Sequence, residues 1–187
     1  MKKHFFTAAL LSSFFLASCE KEKAEPTPAV ETITASTDAS LYQTQSIPKT
    51  SPVPVGWVII AQSATNYTIQ YVAGAPFRHT VQVLDISPVG DGWVVVRKDP
   101  GTKRLFNCKG APLNFTTEVV ADSPIPPRYI ISEYYRGFPN ERFKIQNLNG
   151  ARRGTQVRAW INSRVPTGWR LVSGFGEYKT LENTQDF

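Results

Sequence analysis

WVIIAQSATNYTIQYVAGA (57–75) and WVVVRKDPGTKRLFNCKGA (93–111) align without a gap, each running from a tryptophan to an alanine 18 positions on, with proline next. The steps from Ala75 to Trp93, Ala111 to Tyr129 and Ala151 to Trp169 are again 18 positions. Each carries a serine at the same place, in SPV (87–89), SPI (123–125) and SRV (163–165). Ala39 to Trp57 has the same length and holds SPV (51–53), and Trp169 to Phe187 is also 18. Four units starting at Ala39, Ala75, Ala111 and Ala151 therefore fit, with a four-residue insertion between Tyr129 and Ala151. Periods of this size belong to arrays, propellers and trefoils built from one supersecondary unit.

The unit reads as strands. WVIIA, WVVVR and YIIS are short β-branched runs. YTIQYV, RLFNC and RFKIQN follow a polar turn and alternate apolar with polar. TVQVLDI, TTEVVAD and TQVRAWIN supply a third strand, after which Ser-Pro and Pro-Gly clusters turn the chain. Counting units from the tryptophans leaves half-units 39–56 and 169–187 at the two ends. Such halves predict an all-β ring, small and propeller-like, closed by pairing the first half with the last.

Ahead of the repeats lie two segments of different character. Lys2 and Lys3 precede the apolar run Phe5–Phe15, then Leu16-Ala17-Ser18-Cys19, and polar sequence follows. The run is short for a bilayer span, and residues 1–18 are read as a secretory signal peptide. Leu-Ala-Ser-Cys resembles the lipobox of bacterial lipoproteins. The resemblance implies cleavage before Cys19, acylation of its thiol and amine, and a stable membrane anchor. Glu20 after the cysteine implies, by the same resemblance, the outer membrane of a Gram-negative envelope. Residues 19–38 would then be the lipidated cysteine and an acidic tether, and 39–187 the domain. Residues 20–38 hold two Lys against five acids, whereas 39–187 hold 17 Lys and Arg against 10 acids.

Little in the domain suits catalysis. His79 is its one histidine, so a Ser-His-Asp triad or a His/Cys metal site lacks parts. No phosphate loop, nucleophile elbow, Ca²⁺ loop or cofactor motif is present. Asp85 and Asp122 beside the link serines read as turn chemistry. Lipidation of Cys19 leaves Cys108 alone, and its register with Val72 and Leu148 predicts a packed thiol behaving as a small hydrophobe. The expectation is a domain that is not an enzyme and carries no cofactor.

Two further stretches carry resemblances. GARRGTQVRAWINSRVPTGWRLV (150–172) resembles a ricin-type lectin repeat through Gly154, Val157, Trp160 and Trp169, which implies a β-trefoil. SPVPVGW (51–57) and SRVPTGW (163–169) resemble the junction of βγ-crystallin motifs. Each covers well under half of the chain, and no ligand site is transferred from either.

The rings at Trp57, Trp93, Tyr129 and Trp169 are equivalent and read as a core layer. Trp160 is different. Along its strand Arg158, Trp160 and Asn162 share the face opposite Val157, Ala159 and Ile161. Between Arg128 and Arg170 lie nine Lys and Arg against Glu133 and Glu141, and Arg152-Arg153 replace Pro76-Phe77 and Pro112-Leu113 of the sister units. Ligand-binding residues are therefore sought at Trp160, Arg158, Arg152, Arg153 and Asn162, for an acidic polysaccharide or other envelope glycan. The competing expectation is a docking scaffold for an envelope protein; nucleic acid is disfavoured.

Overall fold

The computed structural model describes residues 40–137 and 141–186. The signal, Cys19 and the tether lie outside the described residues.

Twelve strands follow one another without a helix among the described residues: β1 (Thr44–Pro48), β2 (Trp57–Gln62), β3 (Asn66–Tyr71), β4 (Thr80–Leu84), β5 (Trp93–Asp99), β6 (Thr102–Asn107), β7 (Thr116–Val120), β8 (Tyr129–Tyr135), β9 (Arg142–Asn147), β10 (Gln156–Trp160), β11 (Trp169–Phe175) and β12 (Tyr178–Asn183). They form four three-stranded antiparallel sheets, each made of three consecutive strands with the third in the middle: β1-β3-β2, β4-β6-β5, β7-β9-β8 and β10-β12-β11. All-β architecture in four units is thus what the repeat encodes.

The phase of the repeat is the alanine one, and this corrects the expected ring closure. β1, in the 39–56 segment, pairs with β3 of its own unit. β12, in the 169–187 segment, pairs with β10 and β11. No split sheet joins the two ends. Nor does any strand of the fourth unit pack against the first among the described residues; β4 lies against β2, β7 against β5 and β10 against β8. The arrangement is a row in which each sheet touches its neighbours. A three-unit trefoil does not accommodate four such sheets.

A local tie explains why the alanine phase wins. Asn107, closing β6, donates from Nδ2 to the carbonyls of Ala75 (2.6 Å) and Pro76 (3.1 Å), and its Oδ1 accepts the Lys109 amide (2.9 Å). Asn147 does the same with Ala111, Pro112 and Asn149. Asn183 repeats it with Ala151 and Gln185. Each buried asparagine therefore staples the end of its unit to that unit's own Ala-Pro or Ala-Arg start, satisfying loop groups that would otherwise be stranded. In the first unit Tyr71 takes the place and its ring lies 5.3 Å from that of Trp57.

Neighbouring sheets are joined by the link serines. Ser87, Ser123 and Ser163 are buried, and their hydroxyls accept the amides of Ile59 (2.8 Å), Val95 (2.8 Å) and Ile131 (2.9 Å) from the preceding unit. Each acceptor satisfies the outer edge of β2, β5 or β8, an edge that would otherwise be open. A bulge follows at the same place in all four such strands, between Ile59/Ala61, Val95/Arg97, Ile131/Glu133 and Leu171/Ser173. Apolar residues fill each seam. Val58 and Val72 of unit one pack with Val83, Trp93 and Leu105 of unit two. Val94 and Cys108 pack with Val119, Tyr129 and Ile145; Ile130 and Leu148 pack with Ala159, Trp169 and Leu181. The ring layer Trp57, Trp93, Tyr129 and Trp169 is buried throughout.

The insertion falls in the β8–β9 connection, which spans 136–141 where Pro100-Gly101 suffice between β5 and β6. Residues 138–140 of it are not described.

Candidate functional site

Four units of the same strand order and register allow a position-by-position comparison, and one cluster stands out. The middle residue of the first strand, the last residue of the second strand's hairpin arm and the first residue of the third strand converge at one end of each sheet. In the first unit they are Ser46, Ser63 and Asn66, and in the second Gln82, Asp99 and Thr102. The third has Glu118, Tyr135 and Arg142, with Glu118 ion-paired to Arg142 at 3.3 Å. In the fourth they are Arg158, Phe175 and Tyr178.

The Arg158 guanidinium lies over the Tyr178 ring, 3.6 Å from its centre. Phe175 is 95 % exposed, a value that sets it apart from the aromatic layer of the core. Together with Ser173, Lys179 and Thr180 they line a shallow cavity of about 210 Å³. A cation above one ring and a second ring open to water can hold an acidic group and stack on a flat apolar face at once. Larger clefts lie where the link loops of adjacent units meet, one of 270 Å³ by Cys108 and Tyr129 and one of 320 Å³ by Arg164 and Val165. They recur from seam to seam as a product of stacking, whereas the chemistry of the Arg158 cluster occurs in one unit.

The expected site residues separate into three groups. Arg158 belongs to the cluster. Trp160 is partly buried, and its ring lies 4.9 Å from Tyr134 and 5.5 Å from Phe143, both of the third unit. It packs with the cluster around Cys108 and Tyr129, so it is a seam residue closing units three and four. Leu84 and Val120 occupy the same place in their units and pack backward in the same way. Arg152 and Arg153 lie before β10 and Trp160 ends it, so the strand's five residues, about 13 Å, separate them. Asn162 is exposed beyond the far end of β10. The five residues do not form one site.

Stacking also explains the Arg152-Arg153 exchange. Phe77 meets Phe115 of the next unit edge-on at 4.9 Å. At the equivalent Arg153 no further sheet packs among the described residues, and Arg152 and Arg153 are exposed there. Arg170 and Thr184 follow the same logic, standing where Val58, Val94 and Ile130, and Val72, Cys108 and Leu148, close the inner seams.

Most of the basic excess is engaged. Arg136, Arg142, Lys144 and Arg170 face Glu177, Glu118, Glu133 and Glu182. Arg128 donates to Asn149, and Arg164 to the carbonyls of Ile125 and Pro126. Arg152, Arg153 and Arg158 have no carboxylate partner within ion-pair distance among the described residues. Hydrogen bonds from Lys144 and Tyr135 hold the Glu133 carboxyl below its ordinary range, with Arg158 adding a smaller part, so the neighbourhood stays charged.

Cys108 is buried as its register implies, and burial pushes its thiol up to about 11. The Tyr129 hydroxyl donates to the Cys108 carbonyl at 3.2 Å, and burial likewise raises the phenol. Native protein at pH 8 should therefore leave Cys108 unlabelled by a thiol reagent, with labelling appearing on unfolding. Because the unfolded thiol ionises near its ordinary value of 9.0 and the folded one does not, this residue's contribution to stability falls as pH rises from 9 to about 11. Labelling of the native state as fast as of the unfolded state would show the seam to be open.

No group of three or more metal-binding side chains converges among the described residues. His79 hydrogen-bonds Tyr42 at 3.2 Å and lies beside Trp93, as a strand-edge side chain. No family model, no curated protein and no solved structure matches this chain.

Proposed function

We propose that the protein is an envelope lipoprotein, anchored at the outer membrane through Cys19, whose domain binds an anionic glycan without catalysis. The observation that carries the reading is the Arg158–Phe175–Tyr178 cluster, found in one unit at a place where the first two units hold polar residues and the third an internal Glu118–Arg142 ion pair beside Tyr135. Arg158 supplies the charge, Tyr178 and Phe175 the stacking faces, and Arg152 and Arg153 a positive field further along the same unit. The lipobox-like Leu16-Ala17-Ser18-Cys19 and the acidic tether support placement at a membrane surface.

The experiment exchanges Arg158→Ser, Phe175→Ser and Tyr178→Asn together, which installs the first unit's residues. Retention on acidic-glycan and heparin-like columns is then measured along a salt gradient, with lipid labelling of Cys19→Ala as the check on the anchor. Expected are about tenfold weaker binding in the triple variant, binding of the parent that fades with salt, and loss of label from Cys19→Ala. Unaltered retention removes the glycan reading, and unaltered lipid labelling removes the anchor.

A further inference from the structure

We infer that the protein associates head to tail with a second copy of itself, the outer edge of β11 receiving the β1–Ser51 segment of the next molecule. The contact would continue the three seams already present within the chain. In each of those the third residue of the edge strand gives its amide to a serine of the following unit, at 2.8–2.9 Å. Ile59, Val95 and Ile131 are consequently 3 %, 3 % and 8 % exposed. Their equivalent, Leu171, is 58 % exposed, with Val172 beside it at 46 %. Its amide has no serine to receive it among the described residues.

At the other end the complementary part is present and idle. Ser51 lies seven residues after Thr44, the spacing that separates Ser87 from Thr80, Ser123 from Thr116 and Ser163 from Gln156. Its hydroxyl makes no hydrogen bond among the described residues, whereas each of the other three accepts an amide. A second signal comes from Gln45, whose Nε2 is buried without a partner. Gln45 occupies the place of Val81, Thr117 and Val157, of which the two valines pack against the clusters holding Val58 and Ile130 at inner seams. The residue that would face Gln45 from a neighbouring copy is Arg170. Where the first and third inner seams place a valine beside apolar residues, the two chain ends set polar against polar.

Those same residues keep the contact weak. Arg170, paired with Glu182 at 2.9 Å, and Thr184 remove apolar area that the inner seams bury. A heterologous contact of this kind propagates from copy to copy instead of stopping at a dimer.

The test uses the full-length chain carrying Cys19→Ala, in which Cys108 stays buried. Ser51→Cys and Leu171→Cys are prepared singly and together and oxidised at about 100 μM, a concentration suited to a weak interface. Expected are cross-linked dimers when the two single variants are mixed, a ladder of dimer, trimer and higher species from the double variant, and monomer from each single variant alone. Sedimentation of the parent should show an average mass rising with concentration, and Leu171→Lys, at an exposed position, should abolish the rise. Self-cross-linking of Leu171→Cys as efficient as the mixture would mean a face-to-face dimer and overturn the proposal. Monomer in every sample would overturn it equally, leaving the edge to another occupant.

Discussion

Asn107→Ala will lower the unfolding free energy by about 2–3 kcal/mol, because the change removes one buried and two part-buried hydrogen bonds at once. The side chain is 1 % exposed and holds the Ala75 and Pro76 carbonyls as donor and the Lys109 amide as acceptor. Alanine removes all three partners; the bond to the Ala75 carbonyl is buried, while those to the Pro76 carbonyl and the Lys109 amide are part-buried. The effect should appear in urea unfolding as a lower midpoint, with a slope that falls only if the first seam separates before the rest. Asn107→Asp is the informative companion. It preserves the acceptor toward Lys109 but sets a carboxylate oxygen against two carbonyls, so it should be no better than alanine. A loss below about 1 kcal/mol would show that the Ala-Pro start holds itself without the staple.

The second large effect is expected from Leu105→Ala. Leu105 is in the middle strand of its sheet, fully buried, and its cluster contains Val58 and Val72 of the first unit and Val120 of the third. Removal of its side chain leaves a cavity at the meeting of three units, at a cost of about 2–5 kcal/mol depending on how far the walls relax. Hydrogen exchange distinguishes this site from an ordinary core position. Protection should fall in β2–β3 and β7 as well as in β4–β6, while β10–β12 keep theirs. Uniform loss across all twelve strands would instead indicate a single cooperative block.

Strand content and the four-unit count were legible because β-branched runs and turn residues recur at fixed spacing, from WVIIA to YIIS. The starts at Ala39, Ala75, Ala111 and Ala151 could be counted as well, but spacing alone does not say whether the sheets coincide with those units or straddle them. Tryptophan is the conspicuous marker, but the residues that set the boundary are the quieter Asn107, Asn147 and Asn183, each 32 or 36 residues after an alanine whose carbonyl it binds. Choosing the tryptophans produced half-units and hence a ring. The alanine phase, with sheets complete at both ends, removes the reason for closure.

The candidate site divides in the same way. Arg158 could be found because alternation along one strand puts it on the outer face. Phe175 and Tyr178 required three strands of a unit to be superposed on their sisters, a comparison that the repeat permits once its phase is known. Trp160 misled because alternation tells which face a side chain takes and not what covers that face. The cover is Tyr134 and Phe143, contributed by the neighbouring unit.

A ring has a fixed membership: its rotations must add to a full turn, so one unit more or fewer destroys it. A row bound only between neighbours carries no such arithmetic. Duplication of a single 36-residue stretch would lengthen this protein by one sheet and one serine-bridged seam while leaving the geometry of every existing sheet as it was. Internal copies are then free to vary at their outward ends, and one of them can acquire an arginine and two aromatic rings without the others having to follow.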